Sequence, residues 1–477
     1  MSSIRNTSRI AAKEFLDMTR DGRFRWSAAI LSILTLISLV TGIRTFLDVD
    51  RLHSEAQAQA RWHWDHQGEK NPHAAAHYGM YLFEPKSFLS FFDPGVESFT
   101  GVSVFLEAHR QNDFQNRQAR DGTSIQRFGQ MTAAMVLQTL VPLVIIFLTF
   151  PIIAGERDQG TLRYLLSHGV KPSELAFGKS LGSVAALSII ILPAILLCVA
   201  GILLHNADAE TISFARVLGL AGAYAAYASI FFAISVSASA IGLSPSTVLV
   251  VLLGFWISNV LIAPRLSADL SSWAVPLPSA FEFDESIEDE IRQGIDGHDP
   301  ASERLEKLKQ ELLTKYRVES VEELPVSFAG VALQESERYG NRVFEKHYGE
   351  LWSKIDRQDT ITQLLSFISP TMAVRSISMA LCGSDTADHI RFVRQAEAYR
   401  RNLIEKLNQD LVDNAAEAGF SYTADEEMWK SIPEFRFRPA TTARIIEDQS
   451  IAVLSLSLWF AFALTGAIAF TRKPRID

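Results

Sequence analysis

Two groups of residues in this chain have the types and spacing for chemistry. The first is Gly178-Lys179-Ser180, which would close a phosphate-binding loop if a glycine stood five residues before Gly178 and a buried strand led into it. Position 173 holds Ser173, no strand-like run precedes it, Pro172 lies just upstream, and an uncharged run begins at once. No other match to that pattern occurs, nor any dinucleotide-type glycine motif or metalloprotease His-Glu pair. The chain is therefore expected to be no enzyme and to bind no cofactor itself. The second group is His63, His66, His73 and His77, with Asp65 and Glu69 among them. His73 and His77 are four apart, so a helix presents both on one face, an arrangement that can bind zinc or copper. Trp62 and Trp64 alternate with His63, which suits an interfacial aromatic belt equally well. Surface histidines and a metal site both stay open. Glu107 and His109 could pair, without a catalytic assignment.

The elements that must position these residues follow from hydrophobic runs. A helix needs ~20 uncharged residues to cross a bilayer. Such runs cover 26–43, 131–153, 180–204, 217–264 and 449–471. The fourth is about twice one span, and Gly242-Leu243-Ser244-Pro245-Ser246 near its middle supplies a turn. Six spans result. Hydrophobic residues at 48% beside 21% charged, with mean hydropathy +0.11, fit spans joined to sizeable polar inserts. The net charge of −9 offers no basic field for nucleic acid. Cys198 lies in an apolar run and Cys382 in a polar region, so no disulfide framework is expected.

The expected fold is mainly α. An amphipathic interface helix (1–25) precedes span one (26–47) and a first polar insert (48–128). Spans two to five (129–265) enclose a short segment at 155–177. A second insert (266–447) leads to span six and a basic tail (448–477). Arg5, Arg9, Lys13, Arg20, Arg23 and Arg25 before span one, Arg157, Arg163, Lys171 and Lys179 between spans two and three, and Arg472, Lys473 and Arg475 in the tail place all three segments in the cytoplasm. The loop 205–210 has no Lys or Arg. Both long inserts then lie outside. Ile4, Ala11, Phe15 and Met18 share one face of the N-terminal helix, which predicts a helix along the membrane surface. In the second insert the stripes Leu305, Leu308, Leu312, Tyr316 and Ala396, Leu403, Leu407, Leu411 predict a helical bundle.

The segment 155–177 reads as a pair of short helices. Glu156, Arg157 and Asp158 open it, Gly160-Thr161 permits a tight backbone, and Leu162, Leu165 and Leu166 form an apolar edge suited to a groove on another protein. Lys171-Pro172-Ser173-Glu174 starts the second helix. Within the spans, Tyr224, Tyr227, Ser229, Ser235, Ser237, Ser239, Ser258 and Asn259 either line a path or join helices.

The pattern Glu156-x-x-x-Gly160-Thr161-Leu162-x-x-x-Leu166-Ser167, followed by Gly178-Lys179, resembles the cytoplasmic loop of ABC-2-type transporter permeases. Lys13-Glu14-Phe15 with Arg20-Asp21-Gly22-Arg23 resembles their N-terminal segment. Six spans with both termini inside match the family plan, so the likeness covers the membrane part. A subgroup with large outer inserts is similar at Asn71-Pro72-His73, His77-Tyr78-Gly79, Asp93-Pro94-Gly95, Leu106-Glu107-Ala108-His109 and residues 380–385. The resemblance implies a permease of a bacterial inner membrane. It implies two ATPase subunits on separate chains, holding ATP and magnesium, and a second permease chain, identical or homologous. Glu156, Arg157, Gly160, Thr161, Leu162, Leu165, Leu166, Lys171, Pro172 and Glu174 would contact the ATPase; Phe15, Met18, Arg20 and Arg23 would belong to the interface helix. Export is the first expectation, with the outer domains as a gate or a dock for a periplasmic partner. The alternatives are a mechanotransmitter that reshapes its outer domain to handle a metal, siderophore or protein, and a membrane-anchored sensor.

Overall fold

The computed structural model describes residues 2–121, 131–204, 214–294, 300–415, 421–472 and 474. The loop 205–210, positions 122–128 of the first insert, and Lys473 and Arg475 of the tail lie outside the described residues. Among those described, six helices are long and apolar enough to cross a membrane: Gly22–Asp65, Ala133–Asp158, Pro172–Pro193, Phe214–Ala240, Pro245–Ala274 and Ser450–Arg472. The protein is a mainly helical, multi-pass membrane protein: a six-helix bundle with a separate N-terminal helix, Ser2–Arg20, and a large, mostly helical polar domain. More than half of the apolar stretch of the second span is buried, against about a sixth of the fifth. The second span is thus central, while Val250 and Val251 of the fifth and Phe462 of the sixth turn outward.

The first span is longer than the sequence reading gave it. The apolar run ends near Ile43, but the helix continues unbroken from Gly22 to Asp65, 44 residues or about 66 Å at ~1.5 Å per residue. No proline interrupts it. Its buried residues Phe24, Leu31, Thr35, Ser38, Leu39 and Phe46 form one stripe against the bundle. Gly42 permits the backbone carbonyl of Phe91 to touch the helix where any Cβ would collide. The first part of the expected insert, residues 48–65, therefore continues the same helix.

Both inserts build one polar domain. From the first come a three-stranded antiparallel sheet, β1 (Met80–Phe83), β2 (Ser103–Glu107) and β3 (Arg110–Gln111), in that order. Register pairs Met80 with Leu106 and Glu107 with Arg110. From the second come Phe328–Leu365 and Thr386–Asn414, which pack on each other. The shared core joins Leu82, Val104 and Leu106 of the sheet to Phe392, Leu403 and Leu407. At the far end of the first helix, Trp64 is fully buried and donates its indole N–H to the Trp429 carbonyl at 3.1 Å. Trp429 donates in turn to the Gly68 carbonyl at 2.8 Å. Arg400, almost fully buried, binds Glu397 at 2.7 Å and donates to the Glu107 carbonyl at 3.1 Å, so a charged hydrogen bond as well as apolar contact joins the two inserts.

The second insert is not wholly separate from the spans, as its polar surroundings had implied. Helix Pro370–Cys382 packs against the fourth and sixth spans and is buried over most of its length. It enters deep, with Thr371 beside Tyr227, and climbs back so that Leu381 meets Gly219. The turn before it presents Leu364, Phe367 and Ile368 outward. Ser366 there accepts a hydrogen bond from the Trp459 indole through its carbonyl at 3.2 Å. A backbone reversal among apolar helices is tolerated only where its polar groups find partners.

Trp64→Ala removes a buried ring and its hydrogen bond, and is expected to cost about 3 kcal/mol or more. Thermal unfolding in detergent should show a clear drop in Tm. Trp429→Phe, which loses the donor and part of the ring volume but keeps an aromatic body, should cost less, about 1–2 kcal/mol. Equal and small effects from both would mean the first helix is not anchored by this pair.

Candidate functional site

One end of the bundle gathers the N-terminal helix, the start of the third-span helix Pro172–Leu204, and the turns between spans two and three and between four and five. Gly178 and Gly182 are four apart and face the N-terminal helix. A Cβ on Gly178 would stand 2.8 Å from Ile10 Cβ and 2.9 Å from the Thr7 carbonyl; one on Gly182 would stand 2.8 Å from Glu14 Cβ and strike the Ala11 carbonyl. The glycines let the two helices approach backbone to backbone, as small residues do between membrane helices. Lys179, between them, reaches Glu14 at 2.5 Å and Glu156 at 3.0 Å. The Gly-Lys-Ser stretch is thus a helix contact with one bridging cation. Glu174 adds a longer contact to Asn6, at 3.5 Å.

The segment that Glu156 opens is held by hydroxyls. Near Pro151 the Ser239 Oγ accepts from the N–H groups of Ile153 and Ala154, at 3.0 and 2.9 Å, and donates to the Phe150 carbonyl at 2.8 Å. These contacts satisfy backbone groups that a helix end leaves open. Glu156 accepts the Thr161 hydroxyl. Gly160 just before it has φ 74°, a left-handed conformation that glycine adopts without strain. Arg157 donates to the Leu243 carbonyl in the turn joining spans four and five.

The apolar edge read from the sequence is divided. Leu162 is buried among Ile152, Ile153, Leu175 and Val236 of this chain, and Leu165 and Leu166 are half-buried beside it. The outward side of the short helix Thr161–Ser167 carries Tyr164, 63% exposed, with His168 packed on its ring at 4.1 Å. Phe177, in the first turns of the third-span helix, is 66% exposed. Lys171 is exposed and Pro172 opens the third-span helix. On the N-terminal helix Ala11, Phe15 and Met18 face the bundle as expected, whereas Ile4 at its start is exposed. Arg20 is exposed. Arg23 binds the Asp21 carboxylate at 2.7 Å and lies 5.9 Å from the ring centres of both Phe147 and Phe150.

Within the bundle a cavity of about 310 Å³ opens between the first four spans. Leu187, Ile191, Leu220, Tyr224, Ser229 and Phe232 are among the residues that line it, and among the described residues no charged side chain does. Beside it a chain of polar contacts crosses from spans two and four to the re-entrant helix. Pro142 has no N–H for the Gln138 carbonyl four residues earlier, and the second span widens into a π turn at Val136–Leu140. The Tyr227 hydroxyl donates to that carbonyl at 2.7 Å and contacts Thr371 at 3.0 Å. The Gln138 amide donates to the Tyr224 hydroxyl at 2.8 Å. Ser378 lies 3.0 Å from Tyr224 and donates to the Asp93 carboxylate at 2.5 Å. A second π turn, Ile257–Ile262 before Pro264, turns the Asn259 carbonyl to the Ser369 hydroxyl at 3.0 Å. The Tyr224, Tyr227, Ser235 and Ser239 side chains thus join helices, Ser229 faces the cavity, and Ser237 and Asn259 bond back to Ala233 and Phe255 on their own helices.

The four histidines part company. His63 and His66 lie against Trp62, the latter stacked at 4.8 Å. His73 and His77, on the seven-residue helix Pro72–Tyr78, have their Nε2 atoms 3.2 Å apart. Asn71 caps this helix by accepting from the His73 N–H at 2.9 Å. The third ring of the group is His109, at the turn between β2 and β3, with φ 63°. The Ala108 N–H donates to the Ala76 carbonyl at 3.1 Å and so ties that turn to the helix. His109 Nδ1 is 2.7 Å from Glu337, which also accepts the His109 backbone N–H at 2.5 Å. Burial, with the neighbouring His109 and His77, pushes His73 down to about 4. Burial alone would raise Glu337, but the His109 hydrogen bond and the Arg400 guanidinium hold its carboxyl below the usual range.

Sequence reasoning missed the partnership of Glu14 with Lys179, the re-entrant helix and the place of His109. Only the first had a readable signal, the glycine pair at 178 and 182. Residues 280–438 match a family described as Domain of unknown function (DUF3526). The match lies in the second insert, includes the re-entrant helix, Glu337 and Arg400, and contains none of the six spans. No curated protein matches the chain.

Gly182→Leu is expected to push the N-terminal helix off the third span. Spin labels at exposed Ser8 and Phe177 should give a longer and broader distance distribution than in the parent. Gly222→Ala, at a glycine with open space around it, should leave the distribution unchanged. An unchanged distance in Gly182→Leu would show that the close approach is not required.

Proposed function

We propose that this chain is the membrane subunit of an ABC-2-type transporter, powered by two ATPase subunits on separate chains that hold the ATP and magnesium. The observation that carries the reading is the linkage at one end of the bundle. Lys179 joins the N-terminal helix, through Glu14, to the segment between spans two and three, through Glu156. Arg157 extends that linkage to the turn between spans four and five. A push on the exposed Tyr164 and Phe177 surface is therefore delivered to several spans at once. The rigid coupling of a surface helix to transmembrane helices is what a subunit driven by a motor on another chain requires. On this reading that end faces the cytoplasm of a bacterial inner membrane, both termini lie there, and the polar domain is extracytoplasmic.

The uncharged cavity supports export of an apolar or amphiphilic cargo. The lack of charge among the described lining residues speaks against a proton- or sodium-coupled carrier, whose ion path needs intramembrane ionisable groups. A second permease chain, identical or homologous, would complete the path along the exposed faces of the outer spans. A second reading is favoured by the unbroken first helix: the same ATPase input reshapes the polar domain to release or deliver a bound species without moving cargo across the bilayer. Uptake of labelled cargo into inverted vesicles separates the two.

The test is co-expression with the candidate ATPase chain, purification through a tag on this protein, and ATPase assay in nanodiscs. The wild type should carry the ATPase and hydrolyse ATP. Glu156→Arg should lower the rate at least ~10-fold, equivalent to about 1.4 kcal/mol. Tyr164→Asp, on the exposed surface and outside the ion pairs, should weaken ATPase retention without changing Tm. Failure to co-purify, or rates indifferent to both substitutions, would remove the transporter reading.

A further inference from the structure

We propose that His73, His77 and His109 form a three-imidazole site for a divalent transition metal of the zinc class, with the fourth coordination position open to solvent. The site lies in the polar domain and stands whether or not an ATPase drives the spans.

The geometry fits a tetrahedral ion. One ring nitrogen from each histidine falls within 4.8 Å of the other two. The ring centres are 4.6 to 5.2 Å apart. With Zn–N bonds of about 2.0–2.1 Å, two ligands of a tetrahedral ion stand ~3.3 Å from each other. His73 Nε2 and His77 Nε2 are already 3.2 Å apart. His109 needs only a small approach of its ring to complete the face.

The surroundings are those of a metal ligand set. Glu337 holds His109 Nδ1 at 2.7 Å, which fixes the ring and leaves Nε2 as the coordinating nitrogen. Such carboxylate–histidine pairs orient metal-bound imidazoles and raise their basicity. Glu337 is itself fixed by Arg400 at 3.6 Å. His73 is half-buried while His77 and His109 are exposed, so an ion seated on the three nitrogens would keep one side open. Three neutral nitrogens and no oxygen or thiolate select zinc, copper or nickel over calcium and magnesium. An open fourth position marks a site that takes water or a donor atom from an incoming chelator, in contrast to closed structural sites. The ligands come from the first insert and their support from the second, so the ion would strengthen the contact between them.

The competing account is a histidine pair joined only by an Nε2–H to Nε2 hydrogen bond. The full chain, carrying a tag without histidine, is reconstituted in nanodiscs and titrated with zinc chloride by calorimetry and with cobalt(II) by visible absorption. The expected result is one equivalent of zinc and the intense bands of tetrahedral cobalt. His77→Ala, at an exposed position that leaves the fold intact, should weaken zinc binding at least ~10-fold and abolish those bands. Glu337→Gln, a positioning residue, should weaken affinity by about 10- to 100-fold while keeping the tetrahedral spectrum. The double variant His63→Ala, His66→Ala should bind as the parent does. No stoichiometric zinc, an octahedral cobalt spectrum, or equal affinity in the parent and His77→Ala would overturn the site.

Discussion

Lys179 is held between Glu14 and Glu156, and all three side chains are largely withdrawn from solvent. An ammonium in such a place costs several kcal/mol unless it is paired, and two carboxylates pair it. Removing the lysine would leave two like charges facing each other across a helix contact. Because the glycines on either side of it permit backbone-to-backbone contact, the ion pairs and the backbone packing reinforce one position of the N-terminal helix. The arrangement of spans two, three, four and five at that end follows from this contact and from the Arg157 bond to the next turn.

The interior shows a second physical theme. Proline removes a backbone donor, and in an apolar bundle the orphaned carbonyl must be met by something other than water. Here hydroxyls meet it: Tyr227 at Gln138 and Ser369 at Asn259. Tyr227, through its further contact to Thr371, and Ser369, just before the re-entrant helix, tie that helix to the irregularities of spans two and five. The polar contacts that would be liabilities in isolation become the joints between the polar domain and the spans.

Much of the architecture was legible because its signals are local. Apolar runs located all six spans, and the turn at residues 242–246 divided the longest run correctly. The amphipathic face of the N-terminal helix held at Ala11, Phe15 and Met18. Other features depend on partners far away in the chain. Pro370–Cys382 is too short for a span and carries Arg375 and two serines, so nothing local distinguishes it from a helix of the polar domain. Leu162 reads as exposed edge or as core with equal ease, and only the neighbouring turn decides. The i, i+4 spacing brought out His73 and His77, but their third companion comes from a hairpin whose approach is set by one backbone bond to Ala76. His63 and His66 were grouped with them by proximity in sequence, although the long helix ends at Asp65 and the chain turns before the helix Pro72–Tyr78.

The contact between Gly42 and the Phe91 backbone lies near the middle of the long first helix. A stiff helix packed along one stripe, with a backbone-to-backbone approach at Gly42, can tilt about that approach as a lever about a fulcrum. The arms on either side are about 30 Å each at ~1.5 Å per residue. Rotation of about 5° around that point moves each end by roughly 2–3 Å, in opposite directions. A sideways displacement of the N-terminal helix then becomes an equal and reversed displacement of Trp64 and the domain locked to it. No flexible linker would absorb it, and no amplification would be needed.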